Sequence, residues 1–205
     1  MNHSVIWQSE DLKNLNEIIS NCDVPLIGCC MYTNGTRKFY TRRIAEDLRE
    51  NLFNCAKRSN KILEVGFNAG HSNLLFLLAN PAAKILNFDL MNHKYSYPCY
   101  EYIKSKYDIS VIAGNSISTL YEKDKEDFDL IHIDGGHTDK AVFNDLINCK
   151  KFANKNTLVI FDDTHCENIT KILEVAINCK FIKEIDYKKE KLKEIKHHRI
   201  FRYMF

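Results

Sequence analysis

Three prolines and seven glycines in 205 residues leave almost no material for a flexible linker, and no repeat or low-complexity block interrupts the chain. One domain with a sizeable core is expected, because two domains would each fall near the small end of the usual range. No apolar stretch approaches the roughly 18 residues of a membrane span. The opening MNHSVIWQSEDLK has no apolar segment of the kind a secretory signal carries. No two of the eight cysteines (22, 29, 30, 55, 99, 149, 166, 179) form a CxxC pair, and several fall on apolar faces of expected elements. Reduced core thiols in a cytoplasmic protein are therefore expected, ahead of a zinc site or a disulfide framework. A strong excess of one charge is also missing. The net charge of +2 is too small to point to nucleic acid by itself.

What is present is ordinary globular composition, 45% apolar and 27% charged, with a regular pattern from Lys61 onward. β-rich runs at 61–66, 84–89, 109–113, 128–133 and 157–161 alternate with helical stretches near 71–79, 97–107, 116–123 and 138–151. Such alternation means right-handed βαβ units and a parallel sheet covered on both faces. Before it, residues 10–21 and 41–58 read as helices, the second with Ile44, Leu48, Leu52 and Cys55 at helical spacing. After it come a helix near 167–178 and two runs, FIKEIDY and HRIFRYMF, suited to antiparallel pairing at a sheet edge. The expected fold is α/β, a doubly wound, mostly parallel seven-stranded sheet with an antiparallel edge strand. Residues 1–58 would form an N-terminal helical cap and 60–205 the sheet, all within one domain, 1–205.

In such sheets ligands bind beyond the carboxyl ends of the strands, near the point where strand order reverses. The segment Glu64-Val-Gly66-Phe-Asn-Ala-Gly70 stands there. Its glycine spacing is not that of the dinucleotide fingerprint, and no Gly-Lys-Ser/Thr follows as in a phosphate-binding loop. An acidic residue at the strand end suits a ligand carrying positive charge. The next strand, KILNFDL, ends in Asp89, whose carboxylate could accept from two ribose hydroxyls. A nucleoside without phosphates fits both, and S-adenosylmethionine is one.

LEVGFNAGHS, then FDL, AGNS, FDLIHIDGGH and LVIFDDTH, resembles the class I S-adenosylmethionine-dependent methyltransferases. More narrowly, the chain is similar to O-methyltransferases of the catechol and sugar type, in order and spacing over about residues 60–165. The resemblance implies a Rossmann-like sheet. It also implies a methionine-binding turn of Glu64, Gly66, Phe67, Asn68, Gly70 and Ser72, a ribose contact at Asp89, and Leu90 beside the adenine. Asn115 and Ser116 stand where the family often has an acidic residue and a serine near the adenine, so Asn115 departs from the pattern. Asp134, at the end of the fourth strand, is assigned to the cofactor edge as well as to catalysis.

Asp134 and the pair Asp162–Asp163 end adjacent strands, where their side chains can converge. Carboxylates placed together repel unless a hard cation with oxygen ligands joins them. The resemblance makes Asp134, Asp162 and Asp163 ligands of magnesium or manganese; the alternative is that Asp162 or Asp163 caps the helix beginning near 167. His137 stands where catechol-type enzymes carry a lysine base and could accept a hydroxyl proton, or else ligate the metal or cap the helix at 138. His165 is a weaker candidate of the same kind, and His132, between two isoleucines, reads as packed or facing an adjoining helix.

The function expected is transfer of a methyl group to a hydroxyl on a small molecule or sugar. Met31–Arg43, with Tyr32, Asn34, Arg37, Tyr40 and Arg42, would lie near the acceptor. One rival is nucleic-acid methylation, for which residues 183–202 offer Lys and Arg with Phe201, Tyr187 and Tyr203 nearby. Their charges are interleaved as on a solvated edge, and the Asn/Asp-Pro-Pro-Tyr tetrad of many base-amine methyltransferases is missing. The other is a catalytically silent module that binds the cofactor. Membrane partners are not expected, and a homo-oligomer is left open.

Overall fold

Each of the five parallel strands ends in, or runs directly into, a glycine or an aspartate, so every crossover leaves the sheet at the same edge. The computed structural model describes residues 3–32 and 42–205. Its strands are β1 (Lys61–Val65), β2 (Lys84–Asp89), β3 (Ile109–Ala113), β4 (Leu130–Ile133), β5 (Leu158–Phe161), β6 (Ile182–Glu184) and β7 (Arg199–Tyr203). They form one seven-stranded sheet in the order β3-β2-β1-β4-β5-β7-β6. Strand order reverses between β1 and β4, which places the expected binding crevice there. The two C-terminal runs do pair antiparallel, and β7 inserts between β5 and β6, so the antiparallel strand lies one in from the edge.

The helices are α1 (Glu10–Asn21), α2 (Arg43–Ala56), α3 (His71–Ala79), α4 (Ser96–Lys104), α5 (Ser116–Glu122), α6 (Asp139–Cys149), α7 (Glu167–Asn178) and the single turn α8 (Tyr187–Glu190). A 3₁₀ turn at His3–Gln8, which the sequence pattern does not signal, packs against α3. Because strand side chains alternate between faces, the sheet has two cores. Ile62, Ile85, Leu130, Leu158 and Ile160 meet α1 to α4 on one face. Leu63, Val65, Ile131, Ile133, Val159 and Phe161 meet α5 to α7 on the other. The N-terminal helices are thus layered over α3 and α4. That explains why α3, His-Ser-Asn-Leu-Leu-Phe-Leu-Leu-Ala, is apolar nearly all round: sheet and helices cover both its flanks.

Asp11 ties α1 to the end of α4. Its carboxylate accepts from the Tyr102 hydroxyl at 2.7 Å and the Tyr107 hydroxyl at 2.9 Å, and pairs with Lys106. Along the C-terminal strands Arg199 is held by Glu174 and Glu184, and Arg202 by Glu190, so these cations already have protein partners. All eight cysteines are free thiols. Among the described residues no helix is long and apolar enough to cross a membrane.

Candidate functional site

The register of the sheet builds the site in two rows on the α3 face. Glu64 on β1 is paired with Asn87 on β2 and with His132 on β4, and His132 with Ile160 on β5. Two residues further along, on the same face by strand alternation, stand Asp89, Gly66, Asp134 and Asp162. The inner row is a buried polar network. Asn73 on α3 exchanges hydrogen bonds with Asn87 at 2.9 and 3.0 Å and donates to Glu64 Oε2, while Glu64 Oε1 lies 2.8 Å from His132 Nδ1. Burial pushes the Glu64 carboxyl up. Burial opposes charge on His132 too, but Asp162 and Glu64 outweigh it and raise that imidazole to about 10. Glu64, expected to meet the methionine portion of a ligand, is directed into this network, with no exposed surface of its own.

Gly66, Asp134 and Asp162 of the outer row face a cleft. Its lining includes the turn from Gly66 to Ser72 together with His132, Asp134 and Asp162. The turn is held from both sides. The Asn68 amide N–H donates to Asp89 Oδ2 at 2.9 Å, and the Asn68 side chain donates to the carbonyls of Ile27 and Gly28. Gly66 and Gly70 take left-handed φ values of 100° and 76°, which glycine adopts without a steric penalty. Phe67 is buried edge-on to Tyr100. Asp89, at the end of β2, also accepts from the Met91 N–H at 2.6 Å. Leu90 is 60% exposed beside it. Asn115 caps α5 by accepting from the Ile117 N–H at 3.0 Å, and Ser116 stands beside Asp145 on α6. Asp89, Leu90, Asn115 and Ser116 stand at the neighbouring strand ends, outside that lining.

Two sets of ligand atoms converge at the ends of β4 and β5, each set within 4.8 Å: His132, Asp134 and Asp162, and Asp134, His137 and Asp163. The three aspartates are therefore split between two sets, each completed by a histidine, with Asp134 common to both. Asp134 is exposed as a residue, yet the protein packed around its carboxyl, and then Asp162 beside it, push that group well above the ordinary range. For Asp162 burial acts in the same direction, but the His132 interaction prevails and holds it below. Asp163 is raised, by burial first and then by Asp162. Neither residue caps α7, whose N-cap is Cys166 with no side-chain hydrogen bond. Asp163 instead takes a left-handed φ of 54° and meets His137 Nε2 at 2.8 Å and His165 Nδ1 at 3.7 Å. His137 does not cap α6 either, since Thr138 Oγ1 does so, accepting from the Ala141 N–H.

His132 is the functional candidate that the sequence pattern conceals. It is packed, with 99% of its side chain buried and its ring edge-on to Phe76 of α3, yet its Nε2 has no hydrogen-bond partner and the residue lines the cleft. The cleft wall also holds Cys29, Cys30 and His71. Burial disfavours the Cys29 thiolate, but Cys30 and His71 outweigh it and hold that thiol well below its ordinary value. The signal for His132 lay in pairing rather than in alternation, since only the β1–β4 register sets it against Glu64. Of the expected acceptor segment, Tyr32 bonds Asn16 and stands edge-on to His71, and Arg42 precedes α2; Asn34, Arg37 and Tyr40 lie outside the described residues.

Residues 63–164 match the sequence profile of a methyltransferase domain. No curated protein matches the chain in sequence. Among solved structures it is similar to the S-adenosylhomocysteine-bound methyltransferase PaMTH1 of Podospora anserina, at 14% identity over 80% of this chain and 83% of that one, with a TM-score of 0.63. It is also similar to an O-methyltransferase of Bacillus cereus in complex with S-adenosylhomocysteine, at 13% identity over 94% and 89%, with a TM-score of 0.64. A third is CalS11, a TDP-rhamnose 3'-O-methyltransferase of calicheamicin biosynthesis, at 15% identity over 96% and 94%, TM-score 0.58. At such identities the likeness is one of fold: a class I S-adenosylmethionine-dependent methyltransferase fold.

Proposed function

From that fold as premise, we propose that the protein is a methyltransferase that moves a methyl group from S-adenosylmethionine to a hydroxyl on a small molecule or sugar, assisted by a divalent cation. One observation carries the reading: the Gly66–Ser72 turn and the carboxylates Asp134 and Asp162 line a single cleft. A cationic nucleoside fits the chemistry of that cleft, which pairs a glycine turn at the start of α3 with acidic residues and with two buried ring nitrogens, His71 Nε2 and His132 Nε2, that lack hydrogen-bond partners. When bound, S-adenosylmethionine supplies an electrophilic methyl group on a positively charged sulfur.

Gly66 to Ser72 would hold its amino-acid portion, Asp89 its ribose and Leu90 its base. Asp89 already accepts two backbone N–H bonds, and each carboxylate oxygen keeps a lone pair for a hydroxyl. Asp134, Asp162 and Asp163 would hold Mg2+ or Mn2+, which would orient and acidify the acceptor hydroxyl. His137, grouped with Asp134 and Asp163, would serve as the base. Its ring is half exposed, and Asp163 at 2.8 Å would fix its orientation. Much of the rate would come from orientation within the closed site. CalS11, by its name, methylates a sugar hydroxyl; that supports an acceptor of the same class here.

The test is methyl transfer from labelled S-adenosylmethionine to a panel of catechols, sugars and nucleotide sugars, with DNA and RNA alongside. Label should enter a hydroxyl compound with Mn2+ or Mg2+ present and should not do so in chelator. Label in nucleic acid would overturn the acceptor class, and cofactor binding without transfer to any compound would indicate a silent module.

A further inference from the structure

We propose that His132 is itself a ligand of the cation, through Nε2, so that the site is a mixed nitrogen and oxygen site that takes Mn2+ in preference to Mg2+. This rests on the reading that the cleft binds a divalent cation, and it adds which atoms bind it and which ion they select.

Three features of the ring lead to it. His132 Nδ1 lies 2.8 Å from Glu64 Oε1, and the Asn73 amide donates to that same carboxylate. Metal-bound histidines characteristically give their other N–H to a carboxylate, which fixes the tautomer and turns the free nitrogen toward the ion. Phe76 stands edge-on to the ring at 90°, which holds its plane. The remaining nitrogen, Nε2, is buried without a hydrogen-bond partner, and the residue lines the cleft. Its nearest acid, Asp162 Oδ2, is 3.7 Å away, too far for a hydrogen bond. Two donors bound to one ion at about 2.0–2.2 Å stand roughly 3–4 Å from each other, so the same gap suits a shared cation. Asp134 completes the set.

Coordination here would release the Nε2 proton to solvent and leave His137, oriented by Asp163, to act on the acceptor. An imidazole in the set also sets the preference. Mg2+ favours oxygen ligands and keeps its waters, whereas nitrogen donors strengthen binding along the first transition series.

The experiment is pulsed electron paramagnetic resonance on the Mn2+-loaded protein, with Mn2+ and Mg2+ affinities measured by titration for the wild type, His137→Ala and His132→Asn. Spin-echo modulation from a directly bound ring nitrogen should appear in the wild type and in His137→Ala. His132→Asn should lose it and bind Mn2+ about 10- to 100-fold more weakly. If His132→Asn does not fold, the wild-type and His137→Ala spectra decide alone. Bound Mn2+ without nitrogen coupling, or coupling lost in His137→Ala, overturns the assignment of His132 while leaving the cation reading in place. Failure of both ions to bind at millimolar concentration defeats the cation reading itself.

Discussion

A Cβ atom on Gly66 would lie 2.0 Å from the carbonyl oxygen of Asp134. The turn after β1 and the end of β4 are therefore in backbone contact, and the glycine is required by the sheet as much as by any ligand. Gly66→Val is therefore expected to disturb the strand ends. The clash and the left-handed φ together should cost about 3 kcal/mol or more in stability, read by denaturant unfolding. Wild-type stability in this variant would show that the two backbones separate easily.

Asp89→Ala removes an acceptor from both the Asn68 and Met91 N–H groups. Two effects should appear together: a loss of about 1–3 kcal/mol in stability, and S-adenosylhomocysteine binding weaker by roughly 30- to 1000-fold. Lower stability with unchanged affinity would make Asp89 a strut of the turn and no part of the binding site.

Asp163 holds a left-handed backbone and caps nothing. Asp163→Gly should therefore keep the fold, with stability unchanged or higher by up to about 1 kcal/mol, while methyl transfer is lost. Asp163→Ala, which retains the strain, should be the less stable of the two. Equal activity in wild type and Asp163→Gly would remove this residue from the chemistry.

Asp11 makes a pH-dependent contribution. Burial raises its carboxyl, but the hydrogen bonds from Lys106, Tyr102 and Tyr107 prevail and hold it below its ordinary 3.8. A carboxyl depressed in the folded state stabilises above its unfolded pKa, and that contribution is lost as pH falls through the folded value. Asp11→Asn should thus cost about 1–2 kcal/mol at pH 7, discounted for the exposed Lys106. The gap to the wild type should close below about pH 4. A gap that is constant down to pH 2.5 would contradict the bonding seen here.

The strands and helices were largely legible in the sequence because local pattern dictates them. The helix expected at 71–79 and the strand at 84–89 match their observed spans. The glycine turn and the aspartates were legible for a related reason, since they occupy the positions where strands stop. Long-range register was not. Nothing local to Ile131-His-Ile133 separates a packed histidine from one set between Glu64 and Asp162, and nothing local to Glu64 shows that Asn73 and His132 draw it inward. Cys29 and Cys30 reach the cleft on a segment that Asn68 fastens to the turn and Arg49 holds at the Cys30 carbonyl. Order within the C-terminal pair was likewise set by sheet topology, with β7 entering beside β5.

The central claim is that the cleft between β1 and β4 binds S-adenosylmethionine through protein groups that do not depend on the cation. Calorimetric titration of S-adenosylhomocysteine into chelator-treated protein tests it most directly. The account predicts saturable one-to-one binding that survives chelation and weakens in Asp89→Ala. No heat of binding at millimolar ligand, in wild-type protein that is folded by circular dichroism, would contradict it.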